Sequence, residues 1–236
     1  MQNLATKKRD KQRGKQTFKV EVTKDGPYAV SGGLPLTEQI IVCNPAGDPL
    51  EWRTGKEHSR QEEYALCRCG QSKGKPFCDG THVQVSFDGA ETASHEPYLE
   101  QSDLIDGPAL QLTDKKVLCA GAGFCSRDGG TWDLTKRSDN LEARKAAIEE
   151  AGACPSGRLV VWDKNGEAIE PELEPSIGLI EGPEAGMSGP IWVRGEIPIE
   201  GADGAAYETR NRVTLCRCGR SSNKPFCDTS HLTKEP

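Results

Sequence analysis

The chain has no run of eighteen apolar residues, and aromatic side chains make up only 6% of its 236 residues. The first lack excludes a membrane-spanning helix. No apolar stretch of the secretory kind stands at the amino terminus, so a cytoplasmic protein without membrane contact is expected. With hydrophobic residues at only 35%, one large layered core is disfavoured. Also missing are a phosphate-cradling glycine loop, a G-x-S-x-G elbow and a paired-carboxylate signature, so no substrate-converting site is expected.

What the chain does have is 26 glycines, 15 prolines and 10 cysteines. That composition predicts short, loop-rich modules, which bury too little apolar surface to hold together without cross-links, metals or partners. In a reducing compartment regularly spaced cysteines bind metal or do redox chemistry more often than they form disulfides. The net charge is −6, yet residues 1–19 carry Lys7, Lys8, Arg9, Lys11, Arg13, Lys15 and Lys19 against Asp10 alone. No aromatic residue interleaves with these charges before Phe18, so residues 1–17 read as a disordered basic tail and no nucleic-acid partner is expected.

Comparing the chain with itself is the most informative step. CRCGQSKGKPFCDGTH at 67–82 recurs as CRCGRSSNKPFCDTSH at 216–231, with every Cys and His at an offset of 149. Upstream, GPYAVSGGLPL at 26–36 corresponds to GPIWVRGEIPI at 189–199, and each reads as two short strands around a turn, 28–30 with 34–36 and 191–193 with 197–199. A further apolar run, 64–66 or 213–215, leads into each Cys/His loop. Two repeated β modules at 18–88 and 189–236 are expected, with breaker-rich linkers at 89–107 and 170–188. Between the linkers, 108–169 forms a third module. Its helix is expected over 141–151, capped by Ser138 or Asp139, stopped by Gly152, and burying Leu141, Ile148 and Ala151; a strand follows at 159–162. The class is α+β.

Nine of the ten cysteines fall into triplets: Cys67, Cys69 and Cys78; Cys119, Cys125 and Cys154; Cys216, Cys218 and Cys227. His82 and His231 complete the outer sets. Three thiolates and an imidazole within sixteen positions suit zinc or an iron-sulfur cluster. The single residue between Cys67 and Cys69 is tighter than the usual spacing of paired zinc ligands, whereas two bridged irons divide the set as Cys67 with Cys69 and Cys78 with His82. Asp79 and Asp228 stand where each could cap a short helix. Cys43 reads as a small buried hydrophobe. His58 and His95 read as exposed, and Trp52, Trp132, Trp162 and Trp192 as ordinary anchors of separate small cores.

With CxC, Ser72, KPFCDG and His82 in place, the sequence resembles the CDGSH iron-sulfur family, which includes the mitoNEET-like proteins. The resemblance implies 2Fe-2S clusters held by Cys67, Cys69, Cys78 and His82 and by Cys216, Cys218, Cys227 and His231, a small β cap, and pairing of the two units. That pairing would make a pseudo-dimer within one chain or a homodimer of two. Thr229 departs from the pattern, standing where the family has glycine.

In the middle triplet, CAGAGFC places Ala122 where a ferredoxin run has its second cysteine, while Cys154-Pro155 supplies the distant Cys-Pro. Small residues around Cys119 and Cys125 let backbone approach a bulky cofactor. This segment resembles a divergent mono-cluster ferredoxin domain, implying a 3Fe-4S or 4Fe-4S cluster on Cys119, Cys125 and Cys154. The sequence therefore reads as a non-enzymatic electron-transfer protein serving redox partners, with donation of clusters to apo iron-sulfur acceptors as the alternative and a structural zinc module as the further one.

Overall fold

The computed structural model describes residues 17–233, so all but the last residue of the basic tail expected over 1–17 lies outside the described residues. The chain is α+β, with most of its regular structure in short strands. The first copy supplies β1 (Lys19–Val22), β2 (Tyr28–Ser31), β3 (Leu36–Cys43), β4 (Pro49–Glu57), β5 (Glu63–Leu66) and the one-turn helix α1 (Thr81–Gln84). The middle segment supplies β6 (Asp103–Asp106), β7 (Gln111–Asp114), α2 (Thr131–Lys136), α3 (Leu141–Ala153), β8 (Leu159–Trp162) and β9 (Ala168–Ile169). The second copy supplies β10 (Ser176–Gly182), β11 (Met187–Arg194), β12 (Ile199–Glu200) and β13 (Arg212–Leu215).

Strands of the two copies are exchanged between two sheets, ordered β12-β1-β2-β5 and β13-β11-β10-β3-β4. The exchanged strands pair in parallel at equivalent places, Val20 opposite Ile199 in one sheet and Ile177 opposite Leu36 in the other. Alternation along each strand turns one face inward. The buried residues on these strands and the turns before β3 and β12 are equivalents in the repeat: Tyr28 with Ile191, Val30 with Val193, Leu34 with Ile197, Leu36 with Ile199, Leu66 with Leu215. All of them belong to a single core shared by both sheets. Each such side chain contributes about 1.5–3 kcal/mol on burial, so neither copy keeps its interior if the two part.

Several elements differ from the expectation. The breaker-rich stretch 170–188 contains β10, because Ile177, Leu179 and Ile180 between the prolines and glycines are buried on one sheet. The stretch 89–107 contains a 3-10 turn at Tyr98–Gln101 and β6, which pairs with β7 as the edge of the middle sheet, ordered β6-β7-β8-β9. Leu34 is buried but lies before β3, which starts at Leu36. Helix α3 is capped by Asn140, whose side-chain oxygen accepts from the Ala143 amide at 3.0 Å, and it runs past Gly152 to Ala153. Leu141 at its first position is exposed. The buried face is Ala143, Ala147, Glu150 and Ala151, with Glu150 accepting from the Asp128 amide and the Thr131 hydroxyl.

The middle segment packs on the outer face of the second sheet. Phe124, just before Cys125, stacks on Trp52 of β4 with ring centroids 4.8 Å apart, and Trp52 in turn lies 4.9 Å from Trp192 of β11. Trp52 Nε1 donates to the carbonyl of Ala153, and buried Arg212 of β13 donates to the carbonyls of Gly152 and Leu159. Trp52 and Trp192 thus meet at an interface between modules instead of anchoring separate cores. As a result β13 is buried on both faces, while its counterpart β5 leaves alternate residues open. Replacing Phe124 by Ala is expected to cost about 3–5 kcal/mol, read as a lowered urea midpoint.

Candidate metal centres

The two Cys/His loops are built alike. Strands β5 and β13 deliver Cys67 and Cys216, and each loop folds back so that the Cys67 amide donates to the Pro76 carbonyl and the Cys216 amide to that of Pro225, both at 2.8 Å. The Cys78 amide donates to Ala65 and that of Cys227 to Thr214, both at 2.9 Å. Inside each turn a serine hydroxyl acts as a pin. Ser72 donates to the Phe77 carbonyl and accepts from the Gly74 amide, and Ser221 does the same with Phe226 and Asn223. An aspartate then ties the turn to the start of the following helical turn: Asp79 accepts from the amides of Lys73 and Thr81, and Asp228 from those of Ser222 and Ser230. The aspartates therefore close the loop, and the residue next to each helical turn is Gly80 or Thr229 in the left-handed region, at φ 86° and 75°. Thr229 thus holds the backbone conformation of the glycine it replaces.

The ligand candidates come together in twos. Cys67 Sγ lies 3.8 Å from Cys69 Sγ and Cys216 Sγ lies 3.6 Å from Cys218 Sγ. Cys78 Sγ lies 3.3 Å from His82 Nδ1 and Cys227 Sγ lies 3.4 Å from His231 Nδ1. Metal–sulfur bonds of about 2.3 Å at tetrahedral angles separate two sulfurs by about 3.8 Å, so each pair suits one metal. Among the described residues no group of three or more His, Cys, Asp or Glu side chains is placed to hold a single ion. The Gln71 amide points at Cys69 Sγ at 3.4 Å, a donor that favours a thiolate.

The thiols of the second loop differ in acidity. The hydrogen bond from Cys216, helped by Arg220, draws Cys218 down to about 6, while that same bond and burial push Cys216 up. Burial raises Cys227 to about 12, so loading this site with metal must release protons. Burial also lowers His231 to about 4, and its Nε2 is buried without a hydrogen-bond partner.

The two loops meet. A Cβ at Gly70 would lie 2.5 Å from the carbonyl oxygen of Cys218, and one at Gly219 would lie 2.6 Å from that of Cys69. Both glycines have positive φ, so the residue after each C-x-C has to be glycine for two reasons. Tyr28, fully buried beside Leu66, donates its hydroxyl to the carbonyls of Cys216 and Pro225 and so joins the first copy to the second loop. The 89–107 segment does the same, since the amides of Thr92 and Ala93 donate to the Lys224 carbonyl. Sequence reasoning missed Tyr28, because its counterpart Ile191 made it look like ordinary core.

In the middle segment Cys125 is raised by burial and by the nearby Cys154 and Cys119. Cys154 Sγ lies 3.5 Å from Ser156 Oγ. Arg158 is a further residue the sequence did not single out. It forms a bidentate pair with Asp114 at 2.6 and 2.8 Å, lies over the Trp132 ring, and interacts with Cys119. Its charge is placed to stabilise a thiolate or an anionic cluster there. Cys43 packs beside Ala122 against the Phe124–Trp192 cluster but is half-buried, which corrects its reading as buried. His58 is half-buried and meets the Phe77 ring edge-on at 5.7 Å, which corrects its reading as exposed; His95 is exposed but stacks on Tyr207.

Asp228 offers a test of the loop that needs no metal. Burial acts to raise its carboxyl, but the bonds from Ser230 and Ser222 outweigh it and hold the group at about 2. Because the folded value lies below the unfolded one, near 4, its contribution is full above pH about 4 and is lost as pH falls toward 2. Asp228→Ala is expected to lower stability by about 1–3 kcal/mol at neutral pH. The gap from the parent should close in denaturation curves recorded below pH 3.

Comparison with protein families agrees with this geometry. Residues 25–83 and 188–232 match the model of the iron-binding zinc finger of CDGSH type, and residues 105–164 match that of a divergent 4Fe-4S mono-cluster. No curated protein matches the chain. Among the described residues no helix is long and apolar enough to cross a membrane. The chain is thus an iron-sulfur-binding protein in which two CDGSH regions flank a divergent 4Fe-4S mono-cluster region.

Proposed function

We propose that the chain carries single electrons between partner proteins through two 2Fe-2S centres and one 3Fe-4S or 4Fe-4S centre. The first would be held by Cys67, Cys69, Cys78 and His82, the second by Cys216, Cys218, Cys227 and His231, and the third by Cys119, Cys125 and Cys154. The observation that carries this reading is the division of each outer ligand set into two pairs at tetrahedral spacing, which suits two sulfide-bridged irons. When bound, such clusters accept and release one electron with little change of geometry. The chain's residues supply the surroundings: the Gln71 amide donates to a ligand sulfur, Ser72 and Ser221 fix the turns, and each histidine turns Nδ1 to its cysteine and so leaves Nε2 for a proton.

The reading includes pairing of the two CDGSH units inside one chain. The exchanged strands and the reciprocal Gly70 and Gly219 contacts support it. Light scattering on the purified chain is expected to give a monomer mass. Gly70→Ala should loosen both sites, because its Cβ collides with the partner loop; loss of visible absorption confined to the first site would count against pairing.

Cluster donation is the second reading, favoured at the first site by one observation: Cys78 is half-buried whereas Cys227 is 3% exposed. Incubation with an apo acceptor separates the two, since a carrier hands over iron and sulfide and an electron carrier keeps them. Anaerobic purification is expected to give roughly seven or eight irons per chain with matching sulfide. About four would remove the third centre, and a colourless zinc protein would overturn the redox reading. Because protons compete with metal for imidazole, acid should discharge the outer centres, and replacing His82 and His231 with Cys should slow that loss. Equal decay in variant and parent would exclude the histidines as the acid-labile ligands.

A further inference from the structure

The two CDGSH loops are alike in hydrogen bonding but not in what covers them. Gly121, between Cys119 and Cys125, faces the end of the second loop. A Cβ there would lie 2.5 Å from Leu232 Cδ1 and 3.5 Å from Thr229 Cγ2. Leu232 directly follows His231, and Thr229 is the residue that departs from the repeat. The counterparts in the first copy, Val83 and Gly80, meet nothing comparable: Val83 is 73% exposed, and a Cβ at Gly80 finds no atom within 4 Å. A second contact lies alongside, where Phe226, before Cys227, packs against the cluster of Tyr98, Leu118 and Val160, and Leu118 precedes Cys119. Thr229 therefore places a methyl group where the middle loop arrives, at the cost of a left-handed backbone that glycine would adopt freely.

We propose that the middle centre exchanges electrons with the second CDGSH centre, at its Cys227/His231 side, and reaches the first only through the second. This rests on the iron-sulfur reading above. One electron leaves the reduced middle centre, which is oxidised by one unit, and enters the second centre, which is reduced by one. No bond is made or broken in that step. The same electron then crosses the contact between the two C-x-C-G turns at Gly70 and Gly219. The open face at His82 and Val83 is left to an external one-electron redox protein.

Electron paramagnetic resonance on the full chain, purified anaerobically and reduced, tests the order. In Cys78→Ser only the second 2Fe-2S signal remains, and in Cys227→Ser only the first. Adding Cys154→Ser, which removes the middle centre, is expected to slow spin relaxation of the second signal and leave the first unchanged. An equal effect on both signals, or an effect on the first alone, overturns the order. Iron and sulfide analysis of the same samples separates the two levels of failure: preparations without a middle centre overturn the third-centre reading and this proposal together, whereas preparations with it but without relaxation coupling overturn the order alone. Gly121→Ala keeps every proposed ligand and forces the middle loop away from Leu232. It should slow relaxation of the second signal at unchanged iron content, and unchanged relaxation overturns the proposal.

Discussion

The rest of the structure depends on the approach of the two C-x-C-G turns. Gly70 and Gly219 each bring backbone against the carbonyl of the other loop's second cysteine, a distance only residues without a Cβ permit. Two β modules of this size could not each close a core, and passing β12 to the first sheet and β3 with β4 to the second lets the same apolar positions of both copies fill one interior. The cluster loops then emerge side by side from β5 and β13, which are equivalent strands in opposite sheets. Folding the cap and juxtaposing the two Cys/His loops are one event.

Against this near-symmetry the middle segment acts on one side. It covers the outer face of the sheet that carries the second loop, through Phe124, Trp52 and Trp192, and leaves the first sheet's outer face to solvent. The repeat has diverged where that cover requires it. Trp192 replaces Ala29 at a position now buried by the middle segment, Arg212 replaces Glu63 and bonds across the interface, and Thr229 replaces glycine against the Cys119 loop. Divergence between the copies therefore marks an interface more than a loss of function.

Much of the metal chemistry is legible in the order of residues, because ligand sets in short loops are local. C-x-C and C-x3-H spacings within sixteen residues bring their side chains together whatever the remainder of the chain does, and the paired distances follow. The helix over 141–151 is legible in the same way, though its cap and buried face are not. Asn140, Ser138 and Asp139 are all competent caps, and the inward face of an alanine-rich helix carries little periodicity to read. Strand β10 is hidden by the prolines on either side of it.

By itself the sequence determined the repeat, the number of candidate centres and the residue types that line them, since these depend on spacing along the chain. Tertiary structure alone decided which strands are exchanged, that Tyr28 bonds to the other copy's loop, and that the middle loop lies against His231's neighbour and not His82's. Those outcomes join residues far apart along the chain. No local period encodes such contacts; they are selected by which faces remain apolar after each module has folded and by where a glycine lets two backbones touch.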